Sequence, residues 1–281
     1  MSKPLLALYG LKWNPFAPEL PTEALLATTA IEHFLWRVEH TLVREGGFAL
    51  ISGDPGTGKS VTLRLLAERL GRLADVTVGV LTHPQSHLAD FYRELGDIFG
   101  VTLQPHNRWH GFKTLRQRWL THLEQTRLRP ILLIDEAQEL HPAVLSELRV
   151  LSSTDFDSRL LLSTVLAGDR RLTEKLRRDD LLPLGSRIRT RLTIDYATTD
   201  ELLAGLKHLL VTAGNAQLMT PQLMQTLCEH ALGNFRVLTT MASELLDAAA
   251  QREAPTLDEK LYLELFATPT PAKRTATART P

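Results

Sequence analysis

The chain has 281 residues, enough for one large domain or a core with a smaller partner domain, and its 43% hydrophobic and 23% charged content is ordinary for a globular protein in water. Thirty-two basic and 32 acidic residues balance to zero formal charge, which excludes recruitment of a polyanion by overall charge; any nucleic-acid surface must arise locally. The single cysteine, Cys228, excludes a disulfide within the chain. With no signal peptide and no apolar run near the ~18 residues that cross a bilayer, a soluble, cytoplasmic protein without membrane attachment is expected.

The first 30 residues read as irregular, broken by Trp13-Asn14-Pro15-Phe16-Ala17-Pro18 and by Pro21. Trp13 and Phe16 suit either an apolar clasp near an adenine ring or an anchor for the leader. Ile31, Phe34, Leu35, Val38 and Leu42 predict a helix from Thr29 to about Arg44, ended by Gly46-Gly47. Residues 48–51 read as a short buried strand. After it comes Gly53-Asp54-Pro55-Gly56-Thr57-Gly58-Lys59-Ser60-Val61, which contains G-x-x-x-x-G-K-[ST]. Its glycines let backbone N–H groups approach phosphate oxygens. Lys59 is placed to reach the β- and γ-phosphates of ATP, and the Ser60 hydroxyl to hold Mg²⁺. From Val61, the residues Leu63, Leu66, Ala67 and Leu70 predict a helix whose N-terminal end faces the anion. The motif therefore sits in the strand–loop–helix context that its chemistry needs.

A second strand is predicted over 76–81 and a helix over 88–99. A polar loop follows over 104–111, then a helix from about Phe112 to Leu123. Ile131-Leu132-Leu133-Ile134 reads as a strand buried on both faces, delivering Asp135 and Glu136 at its C-terminal end. Asp135 suits the Mg²⁺ shell, and Glu136 suits orienting or deprotonating an attacking water. A helix is expected from about Pro142 to Leu151 and a fourth strand over 160–166. Asp169 beyond it is a candidate polar sensor, or else the cap of the next helix. Arg187, Arg189 and Arg191 alternate before a short fifth strand over 192–194. They suit a solvated basic edge, or an arginine finger offered to a neighbouring subunit, with Arg187 ahead of Arg189.

After residue 198 the pattern is helical only: 199–212, a helix from Thr220-Pro221, one from about Asn234 to Gln251, and 258–266. Arg236, in Gly233-Asn234-Phe235-Arg236, is a candidate lid residue reaching the nucleotide. The expected organisation is a leader and helix (1–47), an α/β nucleotide-binding core (48–197), a helical lid (198–266) and a disordered tail (267–281).

The phosphate loop, Asp135-Glu136, Ser186-Arg187 and Gly233-Asn234-Phe235-Arg236 follow one another as in AAA+ ATPases. The opening Leu8-Tyr9-Gly10-Leu11-Lys12-Trp13-Asn14-Pro15-Phe16 resembles the start of the ExeA-type branch, which includes transposon-encoded members. That resemblance implies an α/β P-loop core with a five-stranded parallel sheet covered by helices on both faces, plus a small all-α lid. It also implies a Mg²⁺-dependent ATPase assembling as a homo-oligomer (ring, spiral or filament). Asp169 departs from the Asn or Thr often found at the family's first sensor. Secretion-type members continue into a membrane span and a cell-wall-binding region, neither of which is expected among these 281 residues. A single-module form resembles transposition regulators of the MuB and IstB kind, which implies double-stranded DNA and a transposase as partners and target selection as the task. An assembly ATPase for a secretion or envelope partner, and a helicase loader, are the alternatives.

The residues themselves add one local argument for DNA. Residues 101–123 contain no acidic side chain but do contain His106, Arg108, His110, Lys113, Arg116 and Arg118. Arg108, His110 and Lys113 are the candidate phosphate contacts, with Trp109 either packed inward or stacked on a base. A second basic cluster, residues 170–178, is offset by Glu174, Asp179 and Asp180, which suits a mixed-sign interface or plain surface.

Overall fold

The computed structural model describes residues 3–85, 87–103 and 107–266. The expected tail from 267 and His106 lie outside the described residues. The chain forms two compact units. One comprises residues 21–198 together with 233–236; the other comprises residues 1–20, 199–232 and 237 onward.

The first unit is built on five parallel strands: β1 (Gly47–Gly53), β2 (Val78–Leu81), β3 (Ile131–Ile134), β4 (Ser163–Gly168) and β5 (Ile188–Ile194). Their order across the sheet is β2-β3-β4-β1-β5. The Ile131–Ile134 strand is wholly apolar and buried because both faces of the sheet are covered. Phe48, Leu50, Leu132, Ile134 and Leu166 pack on one face with Phe91, Leu95, Trp119 and Leu148. Ala49, Ile51, Ile131, Leu133 and Val165 pack on the other with Phe34, Leu35, Leu66 and Leu70.

The second strand starts at Val78 rather than 76, and the stretch read as irregular over 1–30 holds a helix at Lys3–Tyr9 and a short turn at Thr22–Ala24. Three larger differences each have a local reason. The helix predicted from Phe112 begins at Arg108 and runs to Thr126, because the Asn107 side chain accepts from the His110 N–H at 2.9 Å and caps it. The fourth strand starts at Ser163, since Leu160 instead pairs with Ser153 in a two-residue hairpin, Ser153–Thr154 against Arg159–Leu160. The fifth strand spans seven residues rather than three. Ile188, Thr190 and Leu192 face inward while Arg189, Arg191 and Thr193 face out, the period-2 pattern of an edge strand with one buried face. The first core helix also widens into a π turn over Val38–Leu42 between Thr29–Arg37 and Val43–Glu45.

The second unit is helical: Lys3–Tyr9, Thr199–Ala213, Pro221–His230, the Phe235–Gln251 helix beyond its first two residues, and Glu259–Phe266. Leu206, Leu210, Leu227, Leu245 and Leu246 form its core. The N-terminal segment belongs here: Lys12 N donates to Ala213 O (2.8 Å), Asn215 Nδ2 to Tyr9 O (2.9 Å) and Tyr9 OH to Ala254 O (3.0 Å). Phe16 is buried in the same unit. Among the described residues no helix is long and apolar enough to cross a membrane.

Candidate functional site: a phosphate loop at the sheet's C-terminal edge

Parallel pairing brings the chemistry to one edge. Leu50 and Ile134 both lie level with Leu166, and Gly168 is level with Ser52. The phosphate loop leaving β1, Asp135-Glu136 leaving β3 and Asp169 leaving β4 therefore emerge together at the strands' C-terminal ends, where open α/β sheets bind ligands.

The loop runs from Gly53 into the Lys59–Gly71 helix. Thr57 Oγ1 donates to Asp54 O at 2.9 Å, closing the turn. Lys59, only 5% exposed, donates from Nζ to Gly53 O (2.9 Å) and Asp54 O (3.0 Å), so its ammonium is fixed over the loop. Gly58 has φ +111°, and nothing lies within 4 Å of where its Cβ would stand. A side chain there would fill the cradle; bare backbone leaves it open to an anion at a helix N-terminus. The fit to a nucleotide phosphate is thus met by the loop's own shape. Ser60, exposed on the helix's first turn, and the half-buried Asp135 offer the hard oxygen donors that Mg²⁺ takes. The cavity beside the loop entrance is lined by Gly53 and Asp54, by Arg170 and Arg177, and by the β5 exit at Asp195 and Tyr196.

Glu136 has φ +49° and ψ +39°, a left-handed conformation unusual for a residue with a side chain and one that clusters at functional sites. Its N–H donates to Asp135 Oδ1 at 2.9 Å. Its carboxylate accepts from Gln138 Nε2, and Gln138 Oε1 accepts from the Asp169 N–H at 3.3 Å. Asp169 itself is a helix cap: Oδ1 accepts from Arg171 N (2.8 Å) and Oδ2 from Arg171 Nε (2.9 Å). Burial pushes this carboxyl's pKa up, but Arg171's hydrogen bonds and the charges of Arg171 and Lys59 outweigh it and hold the pKa below the ordinary value. The sensor expected of Asp169 is therefore not its carboxylate, which Arg171 occupies; its backbone N–H is what reaches the Glu136 cluster.

The Gly233–Arg236 turn belongs to the α/β unit. Gly233 accepts from Ala197 N at 3.0 Å, Asn234 Oδ1 accepts from Arg236 N at 2.9 Å, and Asn234 Nδ2 donates to Pro55 O at 3.0 Å. Asn234 thus touches the phosphate loop through its side chain, and Arg236 stands on the first helical turn with its side chain exposed. Neither Gln138 nor Asn234 was singled out from the sequence, though each stands two residues from one that was.

The arginine series divides. Arg187 donates to Asp157 Oδ2 and to Pro183 O, and is tied within its own chain. Arg189 pairs with Glu45 at 3.0 Å with both side chains more than half exposed, a weak tie. Arg191 donates to Gly185 O at 3.1 Å.

On the Arg108–Thr126 helix, Arg108 does not stand ready for phosphate. Its guanidinium donates to the Glu147 carboxylate through Nε (3.1 Å) and Nη2, and Glu147 also accepts from Tyr92 OH. Trp119 is buried, but Trp109, for which inward packing is one expectation, is 64% exposed. Trp109 stacks on Phe112 (centroids 5.7 Å, planes 6° apart) with the Lys113 ammonium 4.9 Å from its centroid. Arg116 lies 4.8 Å from the Phe112 ring, and His110 faces Thr114.

Residues 43–176 match the AAA domain family. Solved structures share the architecture. The ORC2 protein of Aeropyrum pernix, solved in ADPNP–ADP complexes, aligns with a TM-score of 0.70 and 16% identity over 89% of this chain and 70% of that one. Cdc6p of Pyrobaculum aerophilum aligns at 0.68 and 18%, over 86% and 67%. The ORC1 protein of A. pernix, solved in complex with DNA, aligns at 0.65 and 18%, over 88% and 67%. The core has the α/β P-loop fold of AAA+ ATPases, and residues 43–176 carry the likeness to that family. At such identities the structural likeness is one of fold. In sequence, the chain is 29% identical over 249 residues (87% of its length) to the general secretion pathway protein A of Aeromonas hydrophila, and spans less than half, 44%, of that protein. ATP and Mg²⁺ are the ligands of this AAA+ core, and ATP hydrolysis is its chemistry. Bound Mg²⁺ neutralises phosphate charge. For such ligands the chain would offer a fixed ammonium at Lys59, oxygen donors at Ser60 and Asp135, and a constrained carboxylate at Glu136.

Proposed function

We propose that this AAA+ ATPase is an ATP-gated, DNA-binding homo-oligomer. The observation that carries this reading is the outward face of the Arg108–Thr126 helix. His110 and Lys113 are exposed there with the half-buried Arg116 beside them, and no acidic residue occurs from Val101 to Leu123; Arg118 lies on the opposite flank, where its Nε donates to Phe99 O. With Arg108 engaged by Glu147, the phosphate contacts are Lys113 and Arg116, with His110 beside them. Such contacts bind duplex backbone with little regard to sequence and weaken steeply with salt. Trp109 has Phe112 against its ring and Lys113 over it, so it orders a cation rather than stacking on a base.

Lys59 binds the phosphates, Ser60 and Asp135 hold Mg²⁺, and Glu136 orients the attacking water. Arg187 or Arg189 meets a neighbouring subunit's γ-phosphate, and Arg236 reports nucleotide state to the helical unit. Binding of ATP assembles subunits on DNA and hydrolysis releases them. Two solved neighbours, the A. pernix ORC1 protein and Drosophila ORC, were determined bound to DNA, which supports such a use of this fold. Target selection for a transposase is the output implied by the resemblance to transposition regulators.

A second reading is favoured by the identity with the general secretion pathway protein A: an ATPase that drives assembly of an envelope partner. One experiment separates them. Duplex binding is measured at low and moderate salt with ATP, ADP or no nucleotide, for wild type, Lys59→Ala and Glu136→Gln. The DNA reading expects ATP-dependent binding, lost in Lys59→Ala and strengthened in Glu136→Gln. Absence of binding in every nucleotide state overturns it and favours the envelope reading.

A further inference from the structure

We propose that Gln138 is the positioning residue for Glu136, tying the water-orienting carboxylate to the end of β4; this rests on the reading of Glu136 as the group that acts on water. Gln138 is 5% exposed and lies in the short 3₁₀ turn after Glu136. A buried side-chain amide is retained only where its donor and acceptor are both satisfied, and here the two partners are informative. Nε2 donates to Glu136 Oε2, and Oε1 accepts from the Asp169 N–H. One carboxylate oxygen of Glu136 is thereby held, which fixes the direction of the other.

Three further features are built around this amide. The last residue of β4 is Gly168, where a Cβ would lie 2.6 Å from Gln138 Oε1, so the strand end admits the side chain only as glycine. Lys175 donates from Nζ to Gln138 O and to Leu140 O (2.9 Å), pinning the turn from below. Arg171 bridges Asp169 Oδ2 (2.8 Å) and Glu139 Oε1 (3.0 Å), joining the helix after β4 to the same turn. The turn that follows the left-handed Glu136 is thus restrained at Gln138, Glu139 and Leu140. The route from β4 to the catalytic carboxylate runs through Gln138 and the Asp169 amide, not through the Asp169 side chain.

The test uses the full chain with Gln138→Met, which keeps volume and removes both hydrogen bonds, and Gln138→Glu, which keeps an acceptor for Asp169 N–H but loses the donor to Glu136. Single-turnover hydrolysis, ATP affinity and melting temperature are measured for each, alone and combined with Glu136→Gln. A misdirected carboxylate is expected to lower the hydrolysis rate roughly 10- to 100-fold in both variants while ATP affinity is kept. In the Glu136→Gln background neither change should lower the rate further. Wild-type rates in Gln138→Met or Gln138→Glu, or a loss of the same size on top of Glu136→Gln, overturn the proposal. A fully active Glu136→Gln would instead overturn the reading of Glu136 itself.

Discussion

Replacing Arg108 by alanine separates a structural cation from a DNA contact. The Glu147 side chain is 6% exposed and accepts from two guanidinium nitrogens and from Tyr92 OH. Burial first, then the Glu147 carboxylate, pushes the Tyr92 pKa far up, so the phenol remains a donor. Removing Arg108 leaves a buried carboxylate with one neutral partner. Stripping one member from a fully buried pair costs ~3–5 kcal/mol; because the Arg108 side chain is 62% exposed, water enters beside Glu147 and the expected loss is about 2 kcal/mol. For a unit of this size that lowers the melting temperature by roughly 4–8 °C. Adding Glu147→Gln removes the stranded charge and should recover at least half of the loss. The same protein, titrated onto duplex DNA across a salt series, should keep the wild-type slope of log affinity against log salt, whereas Lys113→Ala should reduce it by about 1. An unchanged melting temperature together with a reduced slope in Arg108→Ala would refute the structural assignment.

Two further outcomes follow from the geometry. Gly56 has φ +83°, and a Cβ there would stand 2.1 Å from Asn234 Oδ1; Gly56→Ala should weaken ATP binding at least ~10-fold, about 1.4 kcal/mol, in a fluorescent-nucleotide titration, and unaltered affinity would contradict the contact. Asp169 has a folded pKa held below 3.8 by Arg171, against the effect of burial, so its ionised form stabilises the fold above that value and the contribution is lost as pH falls through the lowered pKa. Asp169→Asn keeps the cap acceptor but removes the charge that faces the largely exposed Arg171, so it should reduce stability by roughly 0.5 kcal/mol near neutrality, with the gap to wild type in urea midpoints closing in acid; a gap that widens in acid would run against the sign.

Much of this was legible in the sequence because its signals are local. The Ile131–Ile134 run, the glycine pattern at Gly53–Ser60 and the Thr220-Pro221 cap each encode structure within a few residues, and strand and helix fell where those signals lie. The misplaced boundaries had local signals too. Asn107 was a cap read as part of a loop, and the Ile188/Thr190/Leu192 alternation was a strand read for its arginines.

What the sequence did not reveal depends on partners distant in the chain. Asn234 meets Pro55 across 179 positions and Gln138 meets Asp169 across 31, and both work by hydrogen bonds to backbone, which constrain only one of the two residue identities. A motif records the residue that touches the ligand, while the amide that aims it has no fixed spacing to find. Arg108 shows the converse. Its charge fitted a basic helix face perfectly well in one dimension, but Glu147, 39 positions away and buried, decides what that charge is for. Net charge along a helix therefore marks a candidate DNA surface only after each cation has been checked against the buried carboxylates that the fold brings to it. On this helix the check removes Arg108 and leaves Lys113 and Arg116 on one face, with His110 beside them.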